Sequence, residues 1–329
     1  MRGVIVGVDG SEGSDEALDW ALHEAASRGT RLTAVLAWDP GRHAGREDTG
    51  DEDARGARRR DAVAGWVEAA RERTGLGAAD VDVVATEVRG NAATSLLALA
   101  EGEGAAKAKV EVEIDGGSDG DGDGDSRAEG GPADLLVVGR CGRGRVSRMV
   151  LGSVPSAVLQ HATVPVTVVR GTTANRVGPV VVGVDGSATS VHALRHGADV
   201  ARRTGATLEA LFCWQIVTLA PLPDSWGWAP PIDDYEAFAA ATLDTALETA
   251  GVDLPDDRVV RTVRHVQAAK GVIEASSHAS RLVLGNRGVG GFDRLLLGSV
   301  SRHATEYAHC PVTVVRPPEA THPSGSTEL

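Results

Sequence analysis

The chain has 329 residues, 42% of them hydrophobic, and a formal net charge of −13. This length allows two or three domains, and the negative balance argues against a nucleic-acid surface, which needs a cationic face. No apolar run approaches membrane-spanning length, the first predicted strand leaves no room for a signal peptide, and Cys141, Cys213 and Cys310 show no paired or metal-like spacing, so a soluble cytoplasmic protein is expected.

Short β-branched runs alternate with longer amphipathic segments along the chain, the pattern of a parallel sheet covered by helices. In chain order, strands are predicted near 3–8, 32–38, 81–88, 134–138 and 165–169, with helices near 14–28, 59–74, 92–101 and 153–160. The order then repeats, with strands near 179–184, 207–214, 258–266, 281–284 and 311–315. The matching helices are expected near 189–203, 234–250, 270–278 and 299–307. The expected fold class is α/β, with two tandem, open, doubly wound parallel five-stranded sheets.

The repetition extends to motifs. Each half opens alike, with Val4-Ile-Val-Gly-Val-Asp-Gly-Ser11 and Val180-Val-Val-Gly-Val-Asp-Gly-Ser187. Each also carries G-x2-G-x9-G-S after an apolar run, as Gly139, Gly142, Gly152 and Ser153 and again as Gly285, Gly288, Gly298 and Ser299. Asp9 maps to Asp185 and Trp38 to Trp214 at an offset of 176, whereas the glycine motifs map at 146. The first half therefore holds about thirty extra residues, placed near 102–131.

That segment is strongly acidic, with ten acidic residues between Glu101 and Gly131 against Lys107, Lys109 and Arg127. Asp119, Asp121, Asp123 and Gly124 resemble the start of an EF-hand loop, but Gly130 stands where that loop needs a bidentate carboxylate. The insertion reads as a disordered acidic loop without a metal site, in which Val110 to Ile114 alternates as a short edge strand would. The expected domains are 1–170 and 179–316, joined by a linker at 171–178 and followed by a flexible tail at 317–329.

A glycine loop that follows a strand and opens into a helix lets backbone N–H groups approach phosphate oxygens. Gly152-Ser153 and Gly298-Ser299 fall where the next helix begins, which places a hydroxyl and free amides at its positive end. The bland alternative, glycines for turns and a serine for a cap, explains one such site better than a spaced tetrad kept twice. Arg140, Arg143, Arg145 and Arg148 crowd the first loop, with Arg287 and Arg294 in the second, and such charge suits a phosphate chain. Asp9 and Asp185 end the first strand of each half, at the carboxyl edge where open α/β sheets bind ligands.

These motifs, with the closing strands Val164-Pro-Val-Thr-Val-Val169 and Pro311-Val-Thr-Val-Val315, make the chain resemble the universal stress proteins in a tandem form. The resemblance implies an adenine nucleotide alpha-hydrolase-like (Rossmann-like) sheet in each half. The loop motif looks like that of the ATP-binding branch, which implies ATP, with or without Mg2+, at the carboxyl edge. Carried over, Asp9 and Asp185 would face the adenosine, and Gly7 and Gly183 on the same strands are counted among the nucleotide-binding residues. Ala37 and Cys213 would offer backbone groups to adenine. Gly139, Gly142, Gly152, Ser153 and Val154 would hold ribose and phosphates in the first half, as would Gly285, Gly288, Gly298, Ser299 and Val300 in the second. The family commonly pairs its last strands across a pseudo-twofold axis, so 165–169 and 311–315 are the expected contact. Cys141 departs from the pattern, standing where the second loop has Arg287.

The implied role is a nucleotide-dependent regulatory module in stress response or dormancy. The chain has no Walker lysine, no HExxH helix and no marked general base, so no catalytic residue is assigned. Slow magnesium-dependent hydrolysis, AMP or cyclic AMP as the ligand, and a further homodimer stay open at this point.

Overall fold

The computed structural model describes residues 3–39, 52–102, 111–113, 131–142, 151–170, 177–215, 232–288 and 297–317; for 52–53, 111–113 and 232–234 it describes the backbone alone. The EF-hand-like run, Arg143, Arg145, Arg148, Arg294, most of the linker and the chain from residue 318 lie outside the described residues.

The first half runs β1 (Val4–Gly7), α1 (Glu12–Arg28), β2 (Leu32–Trp38), α2 (Glu52–Thr74), β3 (Val83–Arg89), α3 (Ala92–Glu101), β4 (Glu111–Glu113), β5 (Leu135–Gly139), α4 (Ser153–His161) and β6 (Val166–Val169). The second runs β7 (Val180–Val184), α5 (Ala188–Thr204), β8 (Leu208–Trp214), α6 (Ile232–Ala250), β9 (Val259–His265), α7 (Ala268–Ala275), β10 (Arg281–Gly285), α8 (Ser299–Tyr307) and β11 (Val312–Val315). Each expected strand and helix is present. Within each half the five repeated strands are parallel, in the order β3-β2-β1-β5-β6 and β9-β8-β7-β10-β11. Among the described residues no helix is long and apolar enough to cross a membrane.

Two features join and extend the pair of sheets, at the contact expected between 165–169 and 311–315 and at the edge strand expected near 110–114. The halves share a single eleven-stranded sheet, because β6 and β11 pair antiparallel at its centre. Thr167 lies opposite Thr313 in this register. The two are repeat equivalents, so a pseudo-twofold axis passes between them, and the contact is self-complementary as in an isologous dimer. Both are fully buried, and their hydroxyls satisfy each other at 2.8 Å. The second feature is β4, which the acidic insertion lays antiparallel on Val84–Thr86, whereas among the described residues β9 is the edge strand of the second half.

The two sheet faces join the halves differently. On one face a continuous apolar core crosses the axis, from Leu96, Val158 and Leu159 to Val272, Leu284 and Val312. On the other, α1 and α2 enclose one core and α5 and α6 another, and the seam between them is charged. Glu24 of α1, 3% exposed, receives Arg281 from across the seam at 2.5 Å, Arg28 at 2.6 Å and Arg203 at 3.2 Å. Arg281 also lies over the Trp20 ring at 4.5 Å. Burial opposes ionisation of Glu24, but the charges and hydrogen bonds of Arg281 and Arg28 hold its carboxyl well below the usual range.

Histidines at this seam set a pH dependence. Burial pulls His23 and His196 below the ordinary imidazole range, assisted at His196 by Arg28 and Arg281. The Nε2 atoms of His23 and His196 have no contact with solvent and no hydrogen-bond partner among the described residues. A depressed folded pKa means that, below about pH 6.5, the unfolded chain binds protons the native chain refuses, so acidification removes stability. The thermal midpoint should fall between about pH 7 and pH 5, and His196→Leu should flatten that fall. Scanning calorimetry across this range checks it; a flat wild-type profile rejects the assignment.

Candidate functional site

The two motifs of each half meet at the carboxyl end of the sheet because their strands are neighbours, with Val6 opposite Val137 and Val182 opposite Val283. Beyond β1 and β7, Gly10 (φ 71°) and Gly186 (φ 82°) adopt left-handed backbone, which explains the glycine after each aspartate. That turn delivers Ser11 and Ser187 to the N-cap positions of α1 and α5, where their hydroxyls accept from the N–H groups of Ser14 and Ser190. Asp9 Oδ1 accepts from the Ser11 N–H at 3.1 Å and its hydroxyl at 2.6 Å. Asp185 Oδ1 accepts from Ser187 in the same way, at 3.0 and 2.6 Å. The other carboxylate oxygen faces the glycine loop. A Cβ on Gly142 would collide with Asp9 Oδ2, and one on Gly288 with Asp185 Oδ2.

The remaining tetrad glycines close the loop. Gly139 lies against the first turn of α1, where a Cβ would strike the Gly13 carbonyl. Gly285 faces Thr189, the repeat equivalent of Gly13. Gly152 donates to the Arg140 carbonyl at 2.9 Å and Gly298 to the Asn286 carbonyl at 2.7 Å. Gly152 and Gly298 are themselves the N-caps of α4 and α8, with no side-chain cap bond. Ser153 and Ser299 thus occupy the first helical position and are exposed, so neither is the helix cap that the bland alternative supposed.

The helix starts differ in their donors. The first intrahelical bonds run from Ser156 to Gly152 and from Arg302 to Gly298, so the amides before them lack intrahelical partners. In α8 these are Ser299, Val300 and Ser301; in α4 they are Ser153 and Val154 alone, because Pro155 has no N–H. Ser301 further anchors the second loop by donating to the Gly285 carbonyl at 2.6 Å.

Ala37 and Cys213 lie half-buried at the carboxyl ends of β2 and β8, opposite Val88 and Arg264. Burial pushes the Cys213 thiol up to about 11, so it is protonated at neutral pH and packs under Gly271. Gly7 and Gly183 are placed by packing: a Cβ on Gly7 would meet Leu96 Cδ1 at 2.8 Å, and one on Gly183 would press on Leu284 and on Val272 Cγ1 at 3.5 Å. Gly7 thus lets α3 approach the sheet, while Gly183 makes room for Leu284 of the neighbouring strand β10.

One divergence between the sites had a signal that was present in the sequence but not read there. Trp38 lies beneath Arg59 at 3.8 Å and near Arg89 at 5.7 Å. At the same offset of 176, Trp214 stacks on Tyr235 at 5.8 Å and on His265 at 4.2 Å. Arg59 and Arg60 are held by Glu87, at 2.5 and 3.2 Å. The first half therefore sets guanidinium charge on its tryptophan where the second sets rings.

Comparison with known proteins gives a consistent result. The family model described as "Universal stress protein family" matches residues 1–170 and again 177–316. A universal stress protein of Mycolicibacterium smegmatis is 31% identical over 330 aligned positions, covering 96% of this chain and 97% of the relative. One of Mycobacterium tuberculosis (strain H37Rv) is 31% identical over 329, covering 96% and 97%. The crystal structure of a universal stress protein from Archaeoglobus fulgidus superposes with a TM-score of 0.58 at 16% identity, over 96% of this chain and 98% of that one, a likeness of fold.

Proposed function

Since the chain belongs to the universal stress protein family and carries that domain twice, we propose that each half binds one adenine nucleotide, ATP in the first instance, at its glycine loop. The observation that carries this reading is the duplicated convergence of an aspartate, a glycine whose missing side chain makes room for it, and a helix start whose first amides have no intrahelical partner. Unpaired N–H groups and the positive end of a helix dipole suit an anion. In this assignment Asp9 and Asp185 meet the adenosine, and Ala37 and Cys213 present backbone groups to the base. The loop glycines with Ser153, Val154, Ser299 and Val300 take ribose and phosphates. Magnesium would accompany the phosphates. Occupancy would act as a regulatory signal under stress, through binding and not through a dedicated hydrolytic centre.

The second site is the better equipped, with three amides lacking an intrahelical partner against two and Arg287 where the first has Cys141. Calorimetry on protein stripped of carried-over ligand should therefore resolve two classes of ATP site, the tighter one lost on altering the second loop. Mass spectrometry of the ligand that co-purifies identifies the nucleotide independently. Absence of any adenine nucleotide in both measurements would sink the proposal.

A further inference from the structure

The last strand of each half ends on an arginine that crosses the pseudo-twofold axis. Arg170, following β6, donates through Nη1 to the Thr305 carbonyl in the last turn of α8 at 2.9 Å. Arg316, following β11, donates through Nη2 to the Leu159 carbonyl in the last turn of α4 at 3.2 Å, and to that of Gln160. The arginines are repeat equivalents at the offset of 146, as are Thr305 and Leu159. Helix termini leave their last carbonyls without intrahelical partners. Here the final intrahelical bonds are those of Ala162 to Val158 and Ala308 to Ala304, so Leu159 and Thr305 head the unpaired sets.

Each crossing arginine is also tied to its own glycine loop. Arg140 donates to Val169, the residue before Arg170, at 3.2 Å, and Asn286 donates to Val315, the residue before Arg316, at 2.8 Å. Burial, then the like charge of Arg140, pulls Arg170 down to about 10. Burial, then Arg287, lowers Arg316 in the same sense. Each loop cation is thus close enough to its crossing arginine to repel it.

We propose that Arg170 and Arg316 are positioning residues supplied in trans, each fixing the helix whose start forms the opposite half's anion site. Arg316 serves the site at Ser153, and Arg170 serves the site at Ser299. The cation compensates the negative end of the helix dipole, leaving the positive end facing the ligand, and it holds the helix at a set distance from the shared strands.

This inference rests on the nucleotide reading for its ligand, and the test separates the two. Calorimetry with magnesium ATP is run on full-length chains in which one loop is closed, Gly288→Val leaving the first site and Gly142→Val the second. With the first site alone, Arg316→Met should weaken ATP by about twofold to fivefold, Arg316→Lys should restore most of it, and Arg170→Met should have no effect. With the second site alone the roles exchange. Hydrogen exchange on unliganded chains gives the independent readout: Arg316→Met should speed exchange in α4 and not α8, and Arg170→Met the reverse. Effects confined to the arginine's own half, or equal in both, overturn the proposal. Crossed exchange with no ATP binding in either parent would establish the anchoring and overturn both the nucleotide reading and the affinity claim.

Discussion

Glu24→Ala should lower the thermal midpoint by roughly 5–10 °C. The substitution leaves Arg28, Arg203 and Arg281 facing one another across the α1–α5 seam without their shared carboxylate. Removing one partner of a buried ion pair typically costs about 3–5 kcal/mol, because the remaining charge stays desolvated. The loss should also be sensitive to sequence context. Combining Glu24→Met with Arg281→Met removes the most buried pair together, and should recover part of the midpoint, since apolar replacements of matched volume tolerate burial. Scanning calorimetry of the two variants decides it. A shift under about 1 °C for Glu24→Ala would mean that the network contributes nothing net.

Gly288→Val should abolish nucleotide binding by the second half and halve the calorimetric stoichiometry, with Gly142→Val doing the same for the first. The cause is local. A Cβ at either position falls on the Oδ2 of Asp185 or Asp9, so either the carboxylate leaves its serine or the loop lifts away from the strand end. Gly142 and Gly288 are exposed, and the fold should therefore survive with a penalty of about 1–3 kcal/mol. Circular dichroism and the thermal midpoint report the fold, and calorimetry reports the site. Full stoichiometry in a folded Gly288→Val chain would place the ligand elsewhere.

Much of the architecture was legible before any coordinates. Alternating β-branched and amphipathic segments gave the strand and helix order, with boundaries that moved by a few residues; α2 begins at Glu52 where periodicity suggested 59. The glycine spacings were legible because close backbone approach excludes a side chain, as Gly139 against Gly13 shows. The individual reasons were less so. Gly7 and Gly183 were grouped with the ligand residues, and their packing adds a second reason for a small residue, since a Cβ would crowd Leu96 at Gly7 and Leu284 at Gly183. Ser153 and Ser299 could be read as caps until the backbone assigned that position to the preceding glycines.

What the sequence determined by itself is the repeated unit: two motif pairs at constant offsets, and hence two equivalent strand-loop-helix arrangements. Those are local properties, set by side-chain period and by glycine's tolerance of tight approach. The tertiary structure decided how the copies differ and how they meet. Only spatial adjacency puts Thr167 against Thr313, gathers three arginines on Glu24, or sends Arg170 and Arg316 to the opposite half's helix ends. Apart from Arg28, four residues from Glu24, their partners lie more than a hundred residues away in the chain, and no local period or spacing carries that information. The axis that brings them together exists only once both sheets have formed and joined.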